Sequence, residues 1–182
     1  MARKPEKITV TKLDAARRQI ETAISLWFQD GDPVSIRTLT AAGNQVCRGL
    51  MIARGEDSPF FLNEKLIRPD KWEDYKRLML LPENFFKHTT KKHEKHPDAK
   101  LEFAPKVTEA YLIDAIKMYS SLHGSVTLLM RAFWFRFIIL NPHTSTDFLP
   151  LVKNPACVYW RKLSKATFLE EFIKAPPWSG EI

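Results

Sequence analysis

Residues 81–98, LPENFFKHTTKKHEKHPD, crowd chemistry into one stretch. Three of the five histidines lie here (His88, His93, His96), with four lysines (Lys87, Lys91, Lys92, Lys95) and the pair Phe85-Phe86. Imidazoles and a carboxylate at the spacing His88, His93, His96, Asp98 could ligate zinc, with an open position left for catalysis. The surrounding lysines oppose a bound cation, and the spacing matches no specific metal motif. Solvated loop histidines are the better reading, and no metal or cofactor is expected.

Anion binding suits the same residues better. Lys87, Lys91, Lys92 and Lys95, continued by Lys100, form a basic patch beside Phe85 and Phe86. Lysines that pair with phosphates beside rings that stack on bases are the needs of an RNA-binding surface. The plainer alternative makes the phenylalanines core anchors and the lysines a solvated face. The candidate binding residues are therefore Phe85, Lys87, His88, Lys91, Lys92 and Lys95. Nucleophilic catalysis has little to stand on. The chain has no G-x-S-x-G elbow, Walker A loop or Rossmann glycine pattern. Cys47 and Cys157 read as small buried side chains rather than activated thiolates. Asp14, Glu21 and Asp30 share one helix without forming a tight acid/base cluster.

These residues must be positioned by helices. The 182 residues suit one domain, and 45% of them are apolar, enough for a core. Lys and Arg exceed Asp and Glu by 28 − 21 = 7, which is compatible with an anionic partner but also simply aids solubility. Two cysteines without C-x-x-C spacing suggest a reduced, cytoplasmic setting. The basic start, MARKPEKITV, has no apolar run behind it, so no signal peptide is expected. The most apolar stretch, 126–140, contains Arg131 and Arg136 and reads as a core helix, not a membrane span.

Residues 1–10 read as a flexible arm. Thr11 with Asp14 resembles a capping box, opening a helix whose inner face is Leu13, Ala16, Ile20, Ala23, Ile24 and Trp27. Its stop is expected at Asp30-Gly31, with glycine left-handed. Asp32 and Pro33 start the next helix, buried along Ile36, Leu39, Val46 and Leu50. Gly43 weakens it unless another helix packs closely there. A short turn makes these two an antiparallel hairpin.

Residues 54–63 read as a loop, tacked down by Phe60, Phe61 and Leu62. Pro69 opens a third helix with Trp72, Tyr75, Leu78 and Met79 on one side. Pro82 is expected to break it at Leu81, leaving Asn84–His88 as a separate short helix. A fourth helix runs from Pro105 to Gly124. A fifth spans 126–140, capped by Ser125. A short helix from about Ala166 to Lys174 is capped by Ser164. The tail 175–182 carries Trp178, a docking point for a partner or a residue folded back on its own domain. The fold expected is all-α: a single-domain helical bundle over 11–174, of about five long helices plus short C-terminal ones.

Residues 13–46, with the turn Gly31-Asp32-Pro33-Val34, resemble the opening of a widespread group of uncharacterised bacterial proteins. The segment Asn84-Phe85-Phe86-Lys87-His88, followed by Pro97-Asp98 and an extended Leu101-Glu102-Phe103, is the other shared mark. This resemblance covers most of the chain and implies no activity. Asn84 and His88 are also similar to the Asn and His of the HEPN superfamily, small helical domains that often act as RNases. The arginine of that motif is replaced by Glu83, which would repel a scissile phosphate. The resemblance therefore implies a non-catalytic binding form. Three readings follow. The first is a non-enzymatic binding protein with RNA or another anionic partner. The second is a HEPN-like metal-independent RNase using His88 and Asn84, and the third a structural module that forms a homodimer. None involves a membrane.

Overall fold

The computed structural model describes residues 7–56, 68–88, 100–142 and 155–174. Among them the chain is all-α, a bundle without strands. The helices are α1 (Lys12–Phe28), α2 (Pro33–Ala53), α3 (Trp72–Lys87), α4 (Pro105–His123), α5 (Leu128–Leu140), α6 (Pro155–Lys162) and α7 (Lys165–Lys174). A single 3₁₀ turn, Pro69–Lys71, leads into α3. The arm and tail expected at the two ends lie largely outside the described residues, as do Phe60, Phe61, Leu62 and Trp178.

Local chemistry sets most helix starts. The Thr11 hydroxyl accepts the Asp14 amide at 3.1 Å while the Asp14 carboxylate accepts the Thr11 amide at 3.4 Å, a complete capping box. Asp32 accepts the Ser35 amide at 2.7 Å, with Pro33 in the first turn where its missing N–H costs nothing. The Ser164 hydroxyl accepts the Thr167 amide at 3.1 Å and caps α7. Gly124 ends α4 with φ of 82°, a left-handed conformation that glycine adopts without steric cost.

Three boundaries differ from expectation. The left-handed residue after α1 is Asp30 (φ 51°), not Gly31. Gly31 instead donates its amide to the Leu26 carbonyl at 2.8 Å, and a Cβ there would crowd that same oxygen at 3.0 Å. Helix α5 is capped by Thr127, whose hydroxyl accepts the Met130 amide at 3.3 Å. Ser125 is drawn off by the His123 ring nitrogen at 3.0 Å. Helix α3 runs unbroken through Pro82. The proline removes one backbone donor, but the residues on either side, Met79 and Glu83, are both buried in tertiary contacts that hold the helix together.

The main core gathers Ile20, Ile24 and Phe28 of α1, Leu112 and Ile116 of α4 and Met130, Phe133, Phe135 and Ile139 of α5. Helices α6 and α7 close it with an aromatic stack in which Phe168 lies parallel to Phe28 at 6.0 Å and edge-on to Trp160 at 5.1 Å. Arg136 is buried and donates to the Trp160 and Leu163 carbonyls, tying α5 to α6 and to the turn between α6 and α7. Helices α1 and α2 pack closely at Gly43, where a Cβ would fall 2.8 Å from Ile20 Cγ1. That contact accounts for a glycine inside a helix. Among the described residues no helix is long and apolar enough to cross a membrane.

Candidate functional site

Helix α3 carries Asn84, Phe85 and Lys87, with His88 at its C-cap, and packs against α2. Glu73 and Asp74 in its first turn and Lys87 in its last complement the helix dipole. Its inner side is held by a small second core. Met79 packs with Ala41 and Tyr111, flanked by Trp72, Tyr75, Leu80 and Val107. Leu78, expected on this inner side, is 60% exposed. Phe86 meets Phe103 edge-on at 5.1 Å, pinning the end of the helix to the segment before α4.

The outer side is different. Helical geometry turns the chain about 100° per residue, so Arg77, Asn84 and His88 fall in one line along the helix. Lys76, Arg77 and Asn84 line a shallow surface cleft of about 200 Å³ with Glu73, Leu80 and Leu81. Among the described residues Lys76 is 3.6 Å from Glu73, while Arg77 has no hydrogen bond or ion pair. His88 is exposed at the C-cap, and its amide donates to the Asn84 carbonyl at 3.1 Å. Asn84 and His88, one turn apart, are thus brought to the same side of the helix.

The remaining sequence-predicted residues are placed less uniformly. Phe85 is half-buried, edge-on to Phe86 at 6.1 Å. Lys87 is not a free cation of a patch: its ammonium pairs with Glu83 at 2.9 Å. Glu83, which stands where the HEPN-like arginine would, is 2% exposed and also accepts from Gln45. Its carboxylate is therefore turned inward and paired with Lys87 rather than presented to a phosphate. Lys91, Lys92 and Lys95, with His93, His96 and Asp98, lie outside the described residues. Among the described residues no three His, Cys, Asp or Glu side chains are grouped to hold a metal ion.

Behind α3 sits a buried polar cluster that sequence reasoning missed. Arg37 of α2 is 1% exposed, donates to the Met79 carbonyl, and lies 4.4 Å above the Tyr111 ring. Burial lowers its pKa from the ordinary arginine value, an effect opposed by the charges of Tyr111 and Glu83. Asn44 of α2 donates to the buried Asp114 carboxylate of α4 at 2.9 Å. Burial and the Asp114 charge push the Cys47 thiol and the Tyr75 hydroxyl each up to about 12. The same burial raises Tyr111. Cys47 is therefore a neutral thiol at physiological pH, as its reading as a core residue requires. A signal was present: Arg37, Thr40, Asn44 and Cys47 recur at spacings of three and four along α2. That stripe lies beside the apolar one and is buried with it.

Chemically, the outer side of α3 offers an unpaired guanidinium, an ammonium, an amide and an imidazole, with no activated nucleophile beside them among the described residues. Such a set binds an anion and hydrogen-bonds its oxygens. Compared with known protein families, with curated proteins and with solved structures, the chain matches none.

Proposed function

We propose that this is a bacterial cytoplasmic protein that works by binding, and that the exposed side of α3 contacts RNA through its phosphates. One observation carries the reading: Arg77, Asn84 and His88 are aligned on the outside of a single helix, with Lys76 beside them and Arg77 uncommitted among the described residues. A cation left free on a helix surface, next to amide and imidazole groups, matches phosphate contacts spaced along a strand. The excess of 28 basic over 21 acidic residues adds long-range attraction. The turn Gly31-Asp32-Pro33-Val34 and the segment Asn84–His88 support membership of the bacterial helical group they resemble. The test is retention of labelled single-stranded RNA across a salt series, comparing the wild type with Arg77→Ala. Salt-sensitive binding weakened by the substitution supports the reading.

A second reading, a metal-independent RNase, draws on the shared outward placement of Asn84 and His88 and the inward turn of Glu83. In it His88 would serve as acid/base and Asn84 as its polar partner. Cleavage of RNA in EDTA, abolished by His88→Ala, would select this reading over simple binding.

A further inference from the structure

A second cleft, about 110 Å³ in volume, opens between α3, residues 101–104 and the first turn of α4. Its walls are apolar, formed chiefly by Leu78, Leu81, Pro82, Phe103 and Val107. The buried Arg37 also lines it. A guanidinium has five N–H donors and keeps its charge in any protein environment. Here one nitrogen donates to the Met79 carbonyl and the plane rests on Tyr111, yet Nε has no hydrogen-bond partner. Glu83, the acidic group that faces it from α3, is bonded to Lys87 and Gln45 through Oε1 alone; its buried Oε2 has no hydrogen-bond partner and makes no bond to Arg37. A buried cation with unused donors is costly unless something pairs with it.

We propose that this cleft binds a small aliphatic monocarboxylate, with its carboxylate on the Arg37 guanidinium and its alkyl tail among Leu78, Leu81 and Val107. The planar fork of arginine matches the two oxygens of a carboxylate. Glu83 behind the guanidinium and the exposed Glu102 on the rim select against a dianion such as phosphate. An apolar cavity of about 150 Å³ encloses the six carbons of benzene, so by proportion a cleft of 110 Å³ covers about four of the six non-hydrogen atoms of isobutyrate and leaves the rest at its open mouth. The cleft shares Leu81 with the one beside Arg77 and Asn84 but none of the polar groups there, and the inference does not depend on RNA binding.

The experiment is a titration of the full chain with sodium isobutyrate, followed by two-dimensional amide and arginine Nε–H spectra. Isobutyramide is the uncharged control and sodium chloride the ionic-strength control. Saturable shifts at Arg37 Nε and around Val107 are expected, with isobutyramide about tenfold weaker because the charge-assisted bonds are lost. Arg37→Met should abolish binding. Val107→Phe, which narrows the cleft and keeps the arginine, should weaken it and decides the matter if Arg37→Met does not fold. Absence of saturable shifts in the wild type, equal affinity for the amide, or undiminished binding by Val107→Phe would each overturn the assignment.

Discussion

Helix α2 contains two glycines whose replacement by alanine should act in opposite directions. In a helix interior alanine is favoured over glycine by about 1 kcal/mol, because glycine loses more backbone freedom on folding. At Gly49 a Cβ meets nothing within 4 Å, so Gly49→Ala should realise that gain. At Gly43 the new Cβ would lie 2.8 Å from Ile20 Cγ1 and 3.4 Å from the Ala16 carbonyl. Carbon atoms in contact prefer about 3.5–4.0 Å, so α1 must move back by about 1 Å. Ile20 and Ala16 are both fully buried, which leaves no solvent side to move toward. Overpacking of this kind costs about 1–3 kcal/mol, which outweighs the propensity gain. Gly43→Ala should therefore be neutral to destabilising by about 2 kcal/mol, against a stabilisation of about 1 kcal/mol at Gly49. Urea unfolding followed by circular dichroism, with the midpoint compared at constant slope, reads both. Equal stabilisation by the two substitutions would refute the close approach of α1 and α2.

Other consequences can be checked directly. Cys47 is buried with its thiol pushed up to about 12, so it should resist thiol reagents at pH 8 in the folded protein and react on unfolding. Asp14 and Asp32 have carboxyls held below the usual range by hydrogen bonds from Thr11 and Ser35. A group with a lowered folded pKa stabilises the fold above its unfolded value and loses that contribution as pH falls through the folded one. Asp14→Asn and Asp32→Asn should each make acid unfolding less steep in a pH titration monitored by circular dichroism. Lys87 is tied to the buried Glu83, so Lys87→Ala should lower the urea midpoint, because it strips a counter-charge from a buried carboxylate.

What the sequence made legible was local hydrogen-bonding chemistry. Thr11 with Asp14, Asp32 with Pro33, and Ser164 each satisfy free amides from residues close in the chain, so the helix starts could be read without the fold. Boundaries that depend on tertiary contacts were misread. Pro82 signals a break, but burial of Met79 and Glu83 keeps α3 whole, and this puts Asn84 and His88 in line with Arg77 rather than on a separate helix. Ser125 and Thr127 are both plausible caps, and the choice falls to Thr127 because His123 engages Ser125. The candidate site was half-visible. Asn84 and His88 stood out by residue type, whereas Arg77 looked like one more surface charge. The spacing of Arg37, Thr40, Asn44 and Cys47 marks a stripe on α2, but its burial depends on which helices cover it.

The most direct test of the RNA-contacting side of α3 is the salt dependence of RNA affinity for the wild type and for Arg77→Ala. Fluorescence anisotropy with a labelled single strand gives both. Loss of one phosphate contact should weaken binding at every salt concentration and reduce the slope of log affinity against log salt by about one. Wild-type protein that fails to bind RNA at low salt, or an unchanged slope and affinity in Arg77→Ala, would contradict the assignment of this side of α3 as the binding surface.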